Sequence, residues 1–400
     1  MFQYVNVKSI NKHMALDLVR FSMGGIARVE LARELNLTRA AVTSIVNDLK
    51  DAELVREVGT HPSGRKPVVL EVNPSRGWVI GVDLGATHMT LILADCAGQV
   101  IREVETPLDI DAGPDICLPH VITQIMQVLS GAGLSISQVS AVGLGVPGPV
   151  VADLGLVSFP PIMPNWDNFP IRSHLMEKLG VPVVLGNDAE LGALGEWAYG
   201  AGRGEEVLAY IKIGTGIGAG LLIDGKIFRG VTGTAGEIGH IMIDKNGPVC
   251  TCGNSGCLEA IAGGRAIARR AQDYVRKYQR SRLAEIKPVD RIRASDVIAA
   301  ARRGDLVAQM IIKEVGESVG TALSSVVNLF NPSMIVVGGQ VSQCGDLLLE
   351  PIRRVVQEKS LKVASRNVRI AAAFLGRRSS GMGAVVEALT IALHQFAEDN

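Results

Sequence analysis

Between Glu237 and Glu259 the chain reads EIGHIMIDKNGPVCTCGNSGCLE, which gathers His240, Cys250, Cys252 and Cys257 between two carboxylates. Three thiolates and one imidazole satisfy a tetrahedral Zn²⁺ and leave no coordination position for water. The spacing therefore predicts a structural zinc rather than a hydrolytic one. Gly247, Pro248, Gly253 and Gly256 supply the turns that such a knot needs. Three of the six cysteines fall within eight residues, which argues against a chance cluster. Cys96, Cys117 and Cys344 are scattered among apolar residues and read as buried thiols, in keeping with a reducing compartment.

Two glycine-rich turns come next in chemical interest. An apolar run from Trp78 runs into Asp83-Leu-Gly85-Ala-Thr87 and then a second strand, Met89 to Ala94. Gly85 permits close approach to an anion, Thr87 offers a hydroxyl, and Asp83 can hold a Mg²⁺ bridged to nucleotide phosphates. The pattern recurs from Val207 to Leu222 around Gly214-Thr215-Gly216, as expected of a duplicated fold with one loop per half. Two ordinary glycine-rich hairpins would read the same way. Between them an apolar strand ends in Asn187-Asp188-Ala-Glu190 and enters a helix. Polar groups at a strand's carboxyl end face a cleft in α/β folds, so Asp188 can accept a proton from a sugar hydroxyl while Asn187 orients it. An N-cap role for Asp188 is the alternative, and the two are compatible. Downstream, NPSMIVVGG at Asn331 to Gly339 reads as a helix end, a proline break and a buried strand that reaches two glycines.

The elements that must position these groups fill a chain of 400 residues, 47% hydrophobic and 20% charged, enough for two or three domains. Forty basic residues balance forty acidic ones, so any nucleic-acid contact must come from local structure rather than a global field. No apolar run reaches a membrane span, and the first residues lack a signal peptide's apolar core, which predicts a cytoplasmic protein. Residues 1–75 read as a winged helix-turn-helix. One helix runs from Asn11 to Phe21 with Met14, Leu18 and Phe21 on its apolar face. A short second helix follows over Val29 to Leu35, with Ala27 where a capping Ser is expected, and a third begins after Thr38 as its N-cap. Val42, Ile45, Val46 and Leu49 form the third helix's apolar stripe, leaving Arg39, Thr43, Ser44 and Asn47 outward, a face suited to the major groove. Two strands, Leu54 to Val58 and Val68 to Val72, flank a wing with Arg65 and Lys66 at its tip. Pro74 and Gly77 mark the boundary and predict a short hinge.

Taken together, GVDLGAT at Gly81 to Thr87, GNDAE at Gly186 to Glu190, GTGIGAG at Gly214 to Gly220, AGEIGH at Ala235 to His240, CTCGNSGCLE at Cys250 to Glu259 and NPSMIVVGG resemble the ROK family of repressors and sugar kinases. The resemblance implies an α/β chain in which a winged helix-turn-helix precedes a two-lobed actin-like, hexokinase-like domain. One lobe would span residues 78–190, joined by a C-terminal helix over 383–400, and the other, with the zinc site, residues 191–382. It implies that Asn187, Asp188, Glu237, His240 and Glu259 bind sugar hydroxyls, with Asp188 the catalytic base in the kinases. Where the family's kinases carry Gly and Asn, this chain has Ala86 and Glu190. The layout is similar to that of the family's xylose and N-acetylglucosamine repressors. It predicts a sugar-responsive regulator that binds operator DNA and a monosaccharide effector as a homodimer or dimer of dimers. An ATP-dependent sugar kinase with an appended DNA-binding domain, using Mg-ATP at Asp83, Gly85, Thr87 and Gly214 to Gly216, is the second expectation.

Overall fold

The computed structural model describes residues 7–59, 68–278 and 280–398. The chain opens with α1 (Val7–Phe21), a short strand β1 (Ile26–Ala27), α2 (Arg28–Glu34), α3 (Arg39–Asp51), β2 (Val55–Val58) and β3 (Val69–Val72). The strands pair in the order β1-β3-β2, a winged helix whose first strand has too few residues to show in the sequence pattern. Thr38 Oγ1 accepts from the Ala41 N–H at 3.2 Å and so caps α3. At α2, Ala27 has no side-chain acceptor, and the Glu30 carboxylate instead takes the Ala27 N–H at 3.0 Å. Val42, Ile45, Val46 and Leu49 are all buried, as their spacing requires. The α1 face differs from the expected one: Met14 is exposed, and Ala15, Leu16, Val19 and Arg20 are buried. The reason is that α1 is covered on two sides, by α3 and by the last helix of the chain.

A first mixed sheet follows. Strands β4 (Trp78–Leu84), β5 (His88–Asp95) and β6 (Val100–Pro107) form an antiparallel meander. Helix α4 (Pro114–Gly131) leads to β7 (Val139–Val146), which pairs parallel with β4. A ribbon, β8 (Val150–Val151) with β9 (Leu156–Val157), and α5 (Ile171–Leu179) precede β10 (Val183–Asn187), parallel to β7. Helix α6 (Asp188–Tyr199) crosses to the second sheet. That sheet repeats the plan: β11 (Val207–Ile213), β12 (Ile217–Ile223) and β13 (Lys226–Ile227) are antiparallel, and β14 (Met334–Gly338) and β15 (Arg369–Ala372) add on in parallel. Between β13 and β15 run α7 (Leu258–Ala262), α8 (Gly264–Tyr278), α9 (Ala294–Arg302), α10 (Leu306–Phe330), α11 (Asp346–Lys359) and α12 (Lys362–Ser365). The orders β6-β5-β4-β7-β10 and β13-β12-β11-β14-β15 are thus the same topology used twice.

The last helix, α13 (Ser379–Glu398), lies on β4 and β7 of the first sheet and against α6. Close approach is possible because the contact is lined with glycine: a Cβ at Gly383 would collide with the Leu191 carbonyl, and one at Gly195 with that of Ser379. Its other side completes the core of the winged helix. Leu16, Val19, Leu49 and Leu70 belong to one continuous apolar cluster with Val385, Leu389 and Leu393. The expected hinge is therefore a braced joint. Residues Pro74–Arg76 form a single 3₁₀ turn, and the Arg76 guanidinium lies 4.2 Å from the centre of the Phe396 ring while its Nε donates to the Ala52 carbonyl at 3.2 Å.

Candidate functional site

Each sheet presents one tight turn to a shared cleft. Gly85 to Thr87 joins β4 to β5, and Gly214 to Gly216 joins β11 to β12. The Gly85 N–H donates to the His88 carbonyl at 2.9 Å, so it is spent inside its own turn. The second turn is closed by Gly214 N–H to Gly216 O at 2.9 Å and anchored where the Gly264 N–H, at the start of α8, donates to Gly214 O at 2.8 Å. Asp83, Gly85, Thr87, Gly214, Thr215 and Gly216 all line the cleft, as do Asn187, Asp188, Glu237, His240 and Glu259.

The junction of β10 and α6 supplies two of these groups with different local duties. Asn187 is the N-cap of α6: its Oδ1 accepts from the Ala189 and Glu190 N–H groups at 2.8 and 3.2 Å, and its Nδ2 donates to Gly148 O at 3.0 Å. The sequence allowed that cap to Asp188. Instead Asp188 is the first residue of the helix, and its carboxylate is turned to Lys212, whose Nζ lies 2.9 Å away. The same Nζ is 3.4 Å from Asp83 Oδ2 and donates to Ser380 Oγ at 3.1 Å. Burial alone would lower the Lys212 pKa, but Asp188 and Asp83 together raise it, so the ammonium stays charged. Burial pushes the Asp188 carboxyl up, against the pull of Lys212.

Lys212 is the main residue that the sequence reading missed. The signal was present: it is the one charged side chain in the strand VLAYIKI. Glu190 is also buried at the cleft, where Arg229 Nε meets its Oε2 at 3.3 Å. Arg229 reaches on to Glu387 of α13 at 3.4 Å. Burial pushes Glu190 up to about 7 in spite of that guanidinium.

Opposite, Glu237 and Glu259 approach from the second lobe. Glu259 Oε2 accepts from the Ile217 N–H at 3.0 Å, and a Cβ at residue 216 would collide with that oxygen, so the turn must be glycine there for the carboxylate to reach it. Burial in the cleft pushes Glu237 up; His240 works against this, and Asp188 and Glu259 add to it. His240 faces two ways, with Nε2 3.8 Å from Glu237 Oε2 and Nδ1 3.7 Å from Cys250 Sγ. Behind it Cys252 and Cys257 sulfurs lie 3.8 Å apart, and the ligand atoms of all four residues are within 4.8 Å of one another. These four residues could hold a metal ion, and Gly253 and Gly256, both at positive φ, bend the loop around them. Chemically, the cleft offers a ring of carboxylate acceptors and one imidazole braced from behind, a set suited to a ligand rich in hydroxyls.

On the winged helix, Arg39, Thr43, Ser44 and Asn47 are exposed together on the outer face of α3. Thr43 Oγ1 donates to the Arg39 carbonyl at 2.8 Å, which leaves its acceptor lone pairs for a partner. Arg65 and Lys66 lie outside the described residues. Among the described residues no helix is long and apolar enough to cross a membrane.

A family model described as the ROK family matches residues 79–391. A xylose repressor of Caldicellulosiruptor bescii is 34% identical over 381 residues, 95% of either chain. Among solved structures, a ROK family transcriptional regulator, a homologue of the Escherichia coli MLC protein, superposes with a TM-score of 0.83 at 29% identity, covering 98% of this chain and all of that one. A ROK family glucokinase from Streptomyces griseus, solved with glucose and AMPPNP, gives a TM-score of 0.68 at 33% identity. It covers 78% of this chain and 99% of its own.

Proposed function

The chain belongs to the ROK family, and from that premise we propose that it is a sugar-responsive transcription repressor, binding operator DNA through α3 and the wing and a monosaccharide in the cleft. The observation that carries this reading is the shared core: α13 borders the cleft on one side and completes the winged helix on the other. Likeness to the xylose repressor and to the MLC-homologue regulator over nearly the whole chain supports it, whereas the glucokinase covers 78% of this chain.

In this reading Asp188, Glu237 and Glu259 accept hydrogen bonds from adjacent sugar hydroxyls, and His240 Nε2 completes the set. A site built on several such acceptors discriminates against deoxy analogues, because each lost hydroxyl leaves an acceptor in the cleft without its partner. Asn187 serves by fixing the Gly148 turn and the start of α6. The metal we assign to His240, Cys250, Cys252 and Cys257 is zinc. A tetrahedron with Zn–S bonds of about 2.3 Å has sulfur–sulfur edges of about 3.8 Å, which fits the spacing of these side chains. Zinc there would hold the imidazole through Nδ1 and aim Nε2 at the cleft, so its contribution is orientation.

Control requires that sugar bind two arrangements of the molecule unequally. Arg229 ties Glu190 of α6 to Glu387 of α13. One residue before Glu387 and three residues after it, Val386 O and Thr390 Oγ1 hold Arg20 of α1 at 2.7 and 2.8 Å. A shift of the cleft walls would reach the DNA-binding unit through this turn of α13. The functional unit would be a homodimer or dimer of dimers in the cytoplasm, placing two recognition helices on a palindromic operator.

The test is the double variant Arg39→Ala, Arg65→Ala. It should lose operator binding by fluorescence anisotropy while keeping the rise in Tm given by the cognate sugar in a monosaccharide screen. Retained operator affinity, or a screen in which no sugar moves the wild-type Tm, would sink the reading.

A further inference from the structure

The duplicated topology puts Asp83 and Lys212 in equivalent places, each two residues before the first glycine of its turn, Gly85 and Gly214. The two halves thus meet across the cleft through opposite charges at matching positions. The Lys212 ammonium has three protons and three acceptors: Asp188 Oδ2 at 2.9 Å, Ser380 Oγ at 3.1 Å and Asp83 Oδ2 at 3.4 Å. Ser380 is itself fixed, donating to the Asp188 carbonyl at 2.8 Å. A lysine so saturated is not waiting for a ligand's phosphate; it neutralises carboxylates that are already there. Asp83 is buried and its Oδ1 has no partner, so without Lys212 neither oxygen of that carboxylate would be compensated. A carboxylate pair of this kind, set beside a hydroxyl and two glycine turns, is otherwise a seat for a hard divalent cation with oxygen ligands.

We propose that Lys212 is a built-in counter-ion occupying the seat between Asp83 and Asp188 that a divalent cation would need, so that the cleft takes its ligand without magnesium and keeps Asp188 as a hydrogen-bond acceptor. The residues present therefore do not fit the Mg²⁺ that the sequence reading allowed at Asp83. A cation there would meet an ammonium, and Asp188 Oδ2 is already engaged by that ammonium at 2.9 Å. The claim about the cation seat rests on the lysine and its carboxylates alone; the claim about Asp188 as acceptor rests on the sugar-sensing reading.

The experiment uses the full-length, zinc-loaded protein and Mn²⁺ as the probe, with Tm and electron paramagnetic resonance of free Mn²⁺ as readouts. Wild type should show neither a Mn²⁺-dependent Tm nor Mn²⁺ uptake. Lys212→Ala, with the carboxylates uncovered, should gain a Mn²⁺ site and a Tm that Mn²⁺ raises. Lys212→Arg should behave as wild type, and Lys212→Ala combined with Asp83→Asn should lose the gain. Mn²⁺ uptake by the wild type that Asp83→Asn abolishes would overturn the proposal, as would a folded Lys212→Ala protein that takes up no more Mn²⁺ than wild type. If Lys212→Ala yields no folded protein in the absence of metal, refolding with Mn²⁺ should recover it, and failure to do so counts against the proposal. The sugar screen is read separately: a Mn²⁺ gain in Lys212→Ala with no sugar response in any form would refute sugar sensing and leave the counter-ion standing.

Discussion

At the scale of single residues, the site is a set of carboxylates, each with a different partner. Asp188 has Lys212, Glu259 has the Ile217 N–H, and Glu190 has Arg229, yet burial still pushes Glu190 up to about 7. Because the folded-state pKa lies above the ordinary 4.5, the folded protein binds this proton more tightly than the unfolded chain does. The associated stability is fully present below pH 4.5 and is lost as the pH rises through about 7. Glu190→Gln should accordingly flatten the fall in Tm between about pH 5 and 8, gaining on wild type as the pH rises, with an effect on the order of 3 kcal/mol at most. Identical pH profiles for the two proteins would show that Glu190 does not titrate in this window. The metal knot gives a second prediction at this scale. Cys252→Ser removes one of four ligands, so the purified protein should lose its zinc, melt at lower temperature and bind sugar more weakly. Full metal content by atomic emission in that variant would refute the ligand assignment.

Among the elements, α13 meets three different surfaces. It closes the first sheet, packs on α6 through paired glycines and finishes the core of the winged helix. The resemblance implied a C-terminal helix over 383–400, and the helix begins four residues earlier, at Ser379; periodicity cannot say which of three surfaces a helix covered nearly all round will meet. The same limit explains α1. Met14 stands at a helical spacing from Leu18 and Phe21, yet the buried face is set by α3 and α13, and Arg20 is drawn inside, where its two terminal nitrogens donate to Thr390 Oγ1 and Val386 O while its Nε has no partner. The contrast with α3 is instructive. That helix has one buried face, so Val42, Ile45, Val46, Leu49 and the cap at Thr38 were all legible. The contact of α1 with α13 can be tested directly. Arg20→Ala should lower Tm, since it empties a buried polar contact. It should also shrink the ratio of operator affinities without and with sugar, from the roughly five- to 150-fold that a coupling of about 1–3 kcal/mol gives towards one. An unchanged ratio, measured by anisotropy at fixed salt, would mean that coupling bypasses this contact.

Across the whole molecule, the winged helix and the two-sheet body are one packed object, joined through Arg76, Phe396 and a common apolar core. A boundary at Pro74 and Gly77 was visible because turn residues punctuate a chain, but whether it bends or is braced depends on what packs across it. The sequence by itself determined everything that rests on local chemistry and short spacing. That includes the grouping of His240 with Cys250, Cys252 and Cys257, the two glycine turns, the exposed polar face of α3 and the family to which these motifs point. Tertiary structure alone decided what depends on residues far apart in the chain: Lys212 against Asp83 and Asp188, Arg229 between Glu190 and Glu387, and Arg20 against α13. The physical reason is that a charged side chain in an apolar strand or helix announces only that burial must be compensated. Which carboxylate or carbonyl compensates it is settled when the two sheets and the last helix close on one another.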